Sequence, residues 1–211
     1  GAFFSGKTPN KELLSNAAGI PYFKVSDMNN PVNTVFLFLS NKYISRKTAE
    51  KEKYSYFNSD GIVLAKVGAA LLLDRKRIAK APFLIDNNLI SIFPKESIDL
   101  QYLYYWTLRI RFSSLSQTGA LPAISTNQIE KLFVGIPTKL EQQKIASFFS
   151  TLDQKIELNE RKLEALEKLK KGLMQKIFSQ AIRFKAKDGH DFDDWKTFKI
   201  DDVAFIRGGG T

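Results

Sequence analysis

Apolar and polar positions follow two different rhythms along this chain, and the change falls near residue 138. Before it, short apolar or alternating runs are broken by Asn, Asp, Gly and Pro: "TVFLFL" (34–39), "GIVLAKVG" (61–68), "AALLL" (69–73), "NLISIFP" (88–94) and "LFVGIP" (132–137). Runs of that length between turn-forming residues predict strands. Within the same region "SIDLQYLYYWTLRIRF" (97–112) places Leu100, Leu103, Tyr104, Thr107, Leu108 and Phe112 near helical spacing. This predicts a helix on the sheet, N-capped by Ser97 with Asp99 in its first turn. "KTAEKEKY" (47–54) is too polar for a core element and reads as an exposed turn or short helix.

From Leu140 to Gln180 there is no Pro, and Gly172 is the single Gly. Heptads phased on Ile145 put Ile145, Leu152, Asn159, Leu166 and Leu173 in one row of the seam, with Phe149, Ile156, Leu163, Lys170 and Ile177 in the other. Apolar residues dominate both sets, which is the signature of a coiled-coil seam. A helix over this span is roughly 60 Å long at 1.5 Å per residue, and it calls for a second helix of similar length. Asn159 within the seam reads as a register setter; a solvated Asn in a slightly off-phase helix is the other reading. In the last segment Phe198, Ile200, Val203, Phe205 and Ile206 form a short apolar stretch, expected as a strand leading into a glycine turn. "VAFIRGG" (203–209) repeats the opening "GAFFSGK" (1–7) at an offset of 202, with Ala204-Phe205-x-x-Gly208 over Ala2-Phe3-x-x-Gly6. The chain therefore reads as α+β: a mixed α/β domain over 1–138, a long helix over 139–185, and the beginning of a further strand over 186–211.

Charge sharpens this division. The net charge is +10, with 17 Lys and Arg against 10 Asp and Glu over residues 1–138, 11 against 6 over 139–185, and 4 against 6 over 186–211. A basic, aromatic-rich first segment suits a polyanion, because each neutralised phosphate releases condensed counterions. There are no cysteines and one histidine, His190, in the polar run "KDGHDFDDW". Disulfides and a Cys/His zinc site are thereby excluded, and His190 reads as a solvated loop residue. No apolar run approaches the ~18–20 residues a bilayer crossing needs, and no signal-peptide pattern precedes the first polar stretch, so a cytoplasmic protein is expected. The chain opens on Gly and reads as processed, tagged or cut from something longer.

That opening, "GAFFSGKT", matches the phosphate-loop pattern G-x-x-x-x-G-K-[ST]. A working phosphate loop follows a buried strand and opens a helix, whereas Pro9 biases Thr8 away from helical geometry. Phe3 and Phe4 instead read as strand, the second copy has Gly209 in place of Lys7, and "LLLD" (71–74) is too common a pattern to serve as a magnesium-binding partner. "DGIVLAK" (60–66) resembles an acid-then-lysine nuclease element only faintly. No catalytic residue, cofactor or metal site is assigned.

The stretch 118–178, with "ISTNQIEKLFVGIP", "EQQKIASFFSTLDQKI" and "LKKGLMQKIF", resembles the specificity subunit of Type I restriction–modification systems, in a half-length or circularly permuted form. "SGKTP" (5–9) with "GIPYFKVSDM" (19–28), "GIVLAKVGAA" (61–70) and "DWKTFKIDDVAFIRGG" (194–209) are similar to other parts of that family. The resemblance implies a DNA target-recognition domain, a conserved helix that pairs with another, and docked adenine-methyltransferase subunits, with a restriction (translocase) subunit as a further partner. It implies a homodimer through the seam Ile145, Phe149, Leu152, Ile156, Asn159, Leu163, Leu166, Leu173 and Ile177. The tail completes either its own recognition domain or a neighbour's. Base readout draws on Arg, Lys, Asn, Gln, Ser and Thr. The candidates for contact with double-stranded DNA are Lys24, Ser26, Lys42, Arg46, Lys47, Lys66, Arg75, Lys76, Arg77, Gln117 and Thr118. Two other readings stand beside this one: the recognition fragment of a fused restriction–methyltransferase enzyme, and a coiled-coil scaffold whose basic charge is incidental.

Overall fold

The computed structural model describes the backbone of residues 2–5 and, in full, residues 8–16, 18–54, 56–116 and 122–209. Its elements in chain order are β1 (Ala2–Ser5), β2 (Ile20–Phe23), β3 (Phe36–Leu37), β4 (Tyr43–Ile44), α1 (Arg46–Lys51), β5 (Gly61–Ala65), α2 (Gly68–Leu72), β6 (Lys76–Ala79), β7 (Leu84–Ile85), β8 (Leu89–Phe93), α3 (Leu100–Leu108), α4 (Thr126–Glu130), α5 (Lys139–Phe178) and α6 (Ile200–Val203). The chain divides into two compact units, Gly1–Asp153 and Gln154–Thr211.

In the first unit a five-stranded sheet runs in the order β1-β8-β5-β6-β3, and a three-stranded sheet in the order β4-β2-β7. The central strand β5 is antiparallel to β6 on one side and β8 on the other. All five residues of "GIVLA" are buried, as expected of a continuous apolar run covered on both faces. Its side chains alternate between two cores. Ile62 and Leu64 pack with Leu71, Ile78, Ile90, Tyr104 and Phe112, while Val63 and Ala65 pack with Phe23, Phe83, Ile85 and Leu89. Gly61 starts the strand because a Cβ there would stand 2.5 Å from the Ser91 hydroxyl and 2.7 Å from the Phe93 ring. A third core of Ile20, Tyr22, Ile44, Ala49 and Leu84 lies in the smaller sheet. Thus "KTAEKEKY" contributes α1 and, through fully buried Ala49, one core contact.

Three secondary-structure expectations change in the first unit. "AALLL" is helix α2 rather than strand: Leu71 is buried while Leu72 and Leu73 stay exposed, a one-sided burial too short to reveal its period from sequence. "LFVGIP" forms no strand; it has no ladder partner, Phe133 is fully exposed, and the Tyr102 hydroxyl donates to the Gly135 carbonyl instead. Helix α3 is capped by Asp99, whose carboxylate accepts from Tyr102 N–H at 3.0 Å, because Ser97 lies inside the Lys95–Ile98 turn. The strand expected at Phe3-Phe4 is β1, antiparallel to β8 with Ala2 opposite Phe93. No helix opens at Thr8; the first helical residues are a 3₁₀ turn over Lys11–Leu13, capped by Asn10. Gly6 and Lys7 lie outside the described residues.

In the second unit α5 continues to Phe178 and stops at a turn with Gln180 at φ +60°. Past that turn Trp195 packs edge-on against Phe178 at 6.3 Å. The Arg183 guanidinium donates to the Phe192 carbonyl at 2.8 Å and pairs with Asp194 at 3.3 Å. His190 is exposed and faces Asp188 at 3.3 Å. The expected strand over 198–206 is absent: the segment holds the single turn α6, then extended chain without a ladder, and its apolar side chains are exposed.

Candidate nucleic-acid interface

Two buried polar residues build the first loop. Asp27 accepts from Lys24 N–H at 2.7 Å and from Asn41 N–H at 2.9 Å. Asn33 donates to the carbonyls of Asp27 and Leu39 and accepts from the N–H groups of Phe38 and Leu39. Both side chains are about 1% exposed, and burial without these partners would cost a few kcal/mol each. They therefore fix the course of residues 24–41.

The basic run "DRKR" (74–77) docks on this loop. The Arg75 guanidinium donates to the Asn29 side-chain carbonyl. Arg77 donates through Nε to the Asn33 carbonyl at 2.6 Å and through Nη1 to the Lys76 carbonyl at 2.8 Å. Between them Lys76 turns inward. It is 1% exposed; its ammonium meets Asp74 at 2.6 Å and the Ile110 carbonyl at 2.8 Å, and lies 5.0 Å from the centre of the Phe112 ring. Burial lowers the Lys76 pKa, an effect Asp74 opposes. The other Asp74 oxygen accepts from Phe112 N–H at 3.0 Å. Lys76 is thus an internal strut and not a side chain held out to a ligand, a correction to its place among the DNA contacts.

These bonds bring Arg75 to Asn29 and Arg77 to Asn33; on the same loop Ser26 is exposed, while the Lys24 ammonium lies 5.3 Å from the Tyr22 ring centre. Lys42 donates to Asn16 at 2.7 Å, Arg46 stacks 5.8 Å from Tyr56, and Lys47 is exposed on α1; these three belong to the smaller sheet's side of the unit. Lys66 follows β5 and is held by its backbone to Asn88 and Ile124. Gln117 and Thr118 lie outside the described residues. Sequence reasoning missed Asn29, a base-reading residue type placed beside Arg75. The run "DMNNPVN" (27–33) carried the signal, but Asn there also reads as loop punctuation. Phe38 and Leu39 are exposed on the same loop.

On α5 the seam has two fates. Gln142 and Ala146 are buried, and Ile145 and Phe149 line a cleft with Tyr102, Tyr105 and Trp106 of α3. Gln142 accepts from Asp99 N–H at 2.8 Å and donates to the Pro137 carbonyl at 2.9 Å, while the Tyr105 hydroxyl donates to Asp153 at 2.7 Å. From Leu152 on, Ile156, Asn159, Leu163, Leu166 and Leu173 are exposed, and Ile177 is half-buried. Among the described residues no group of His, Cys, Asp and Glu is arranged to hold a metal ion, and no helix is long and apolar enough to cross a membrane.

The first unit is thus a mixed α/β domain with a docked basic turn, and α5 carries an exposed apolar stripe beyond it. The chain belongs to the family of Type I restriction modification DNA specificity domains, whose model matches residues 2–168. It is 26% identical over 220 residues to the Type I restriction enzyme MjaVIII specificity subunit of Methanocaldococcus jannaschii, covering 98% of this chain and 48% of that one. A 63-residue stretch is 36% identical to the HindI specificity subunit of Haemophilus influenzae, 30% of this chain and 14% of that one. The chain spans about half the length of the curated relatives that it matches along its whole length. Its fold is similar to that of a chain from a type I R-M system complex (TM-score 0.65, 17% identity, 85% of this chain and 42% of that one). It is also similar to the HsdS subunit of Thermoanaerobacter tengcongensis (TM-score 0.57, 15% identity, 83% and 41%).

Proposed function

We propose that this chain reads DNA sequence for a Type I restriction–modification complex: the first unit recognises one half of a bipartite target, and the exposed part of α5 pairs with a second long helix. Adenine-methyltransferase subunits dock on the assembly, with a restriction subunit as a further partner, and the chain supplies the address rather than the chemistry. The observation that carries this reading is the loop 24–41 fixed to the turn 74–77, which holds Arg75 beside Asn29 on a basic unit, with Lys24 and Ser26 on the same loop. Arginine for phosphate or guanine and asparagine for adenine are the chemistries of groove recognition, and family membership supports the same reading.

Fluorescence anisotropy on mixed-sequence duplexes across a salt series tests it. Arg75→Ala is expected to weaken binding about five- to tenfold and to lower the slope of log K against log salt by about one. Arg77 is spent on two backbone carbonyls, so Arg77→Ala loosens the loop as well and is the less specific probe. An unchanged slope for Arg75→Ala would remove this turn from the interface.

A further inference from the structure

Between two fixed points the first unit turns a pair of apolar side chains outward. Leu37 ends β3, the edge strand of the five-stranded sheet; it pairs with Ala79 and is buried in the core that holds Phe23 and Val63. Ser40 is buried as well, its hydroxyl donating to the Tyr22 carbonyl at 2.8 Å. Phe38 and Leu39, in between, are 62% and 46% exposed, although alternation from Leu37 would carry Leu39 inward. Their backbone is fastened in this arrangement. The Asn33 side chain accepts from both N–H groups, at 2.8 and 3.0 Å, and donates to the Leu39 carbonyl at 2.7 Å. The Phe36 ring braces the Phe38 ring at 5.6 Å between centres. Cations and amides surround the pair: Arg77 donates to the Asn33 carbonyl, and the Lys80 ammonium, paired with Asp60, lies 5.6 Å from the Phe36 ring centre. The same loop holds Asn29 against Arg75.

A single exposed apolar residue is ordinary on a protein surface, but a pair presented on a buried amide is a built feature. We propose that Phe38, backed by Leu39, is a wedge that enters between adjacent base pairs of duplex DNA and unstacks them. This rests on the reading of the loop 24–41 as part of a DNA-recognition unit, and adds to it a contact that deforms the duplex instead of reading a base edge. Apolar side chains act in this way at the expense of stacking, and the penalty falls where stacking is already broken.

A mixed-sequence duplex and the same duplex with a central mismatched step separate the wedge from the charges around it, by anisotropy with the full chain across a salt series. Wild-type chain is expected to bind the mismatched duplex about threefold more tightly. Phe38→Ala is expected to bring the two affinities together while leaving the salt slope unchanged, whereas Arg75→Ala lowers the slope on both duplexes and keeps the preference. Phe38→Trp is expected to keep the preference too, and its added emission falls about twofold on binding as the indole stacks on bases, beyond any change from Trp106 and Trp195 in wild-type chain. A wild-type chain without the preference, a preference that survives Phe38→Ala, or Phe38→Trp emission unmoved by DNA would overturn the wedge and leave the DNA reading standing. An equal loss on both duplexes in Phe38→Ala, with the preference intact, would make Phe38 a groove contact and overturn the wedge as well. Wild-type chain that binds neither duplex would overturn the reading and the wedge with it.

Discussion

Along α5, residues 139–153 and residues 154–178 draw on the same side chains, Leu, Ile, Phe, Lys and Glu, yet they meet different surroundings. The earlier stretch buries Gln142 and Ala146 and sets Phe149 5.2 Å from the Tyr105 ring, so α3 covers part of its stripe, Phe149 itself staying 41% exposed. In the later stretch Leu158, Leu163, Leu166 and Leu169 are more than half exposed. Heptad periodicity therefore states how much apolar surface must be covered, and only tertiary structure states by what. The polar residue is the informative one. Gln142 is buried because the loop ahead of α3 and the turn ahead of α5 both leave backbone groups that need it, whereas Asn159 is exposed and has a seam around it rather than a core.

Substitutions at the two ends of the helix put this contrast to the test. Gln142→Ala leaves the Asp99 N–H and the Pro137 carbonyl without their partner and is expected to destabilise the first unit by about 2–3 kcal/mol, read as a lower urea midpoint with an unchanged slope. The next effect is a pH dependence. Burial raises the Tyr104 pKa to about 12. A folded value above the unfolded one means stability that is complete below pH 10 and lost as pH rises towards 12. By pH 11 the loss is on the order of 1 kcal/mol, and Tyr104→Phe is expected to remove that component from the difference between urea midpoints at pH 8 and pH 11. The smallest effect belongs to the far end. Leu163→Ala is expected to change the stability of dilute chain by less than about 0.5 kcal/mol while abolishing any dependence of the helix melting temperature on protein concentration. A large loss in dilute chain would mean that the seam is covered within one molecule.

Legibility followed the same division. The long helix, β5 and β8 were readable because their apolar patterns are long or unbroken. Strand β6 was not: "KRIA" opens in a basic run, and only Asp74 and the Ile110 carbonyl, the latter 34 residues away, make a buried Lys76 tolerable. The two-residue strands β4 and β7 carry too little pattern to stand out. In the candidate interface the arginines were visible as charges, but their separate duties were not. Arg75 and Arg77 are sorted by Asn29 and Asn33, more than 40 positions away in sequence.

Strand β5 has a consequence for how this unit tolerates change. Because Ile62 and Leu64 serve one core and Val63 and Ala65 the other, it acts as a party wall, and neither compartment melts without the other losing a face. Within 24–41 and 74–77, Met28, Leu37 and Lys76 are tied into that masonry, while Ser26, Asn29, Phe38 and Leu39 stay exposed. Variation can therefore accumulate in them while the masonry behind stays as it is.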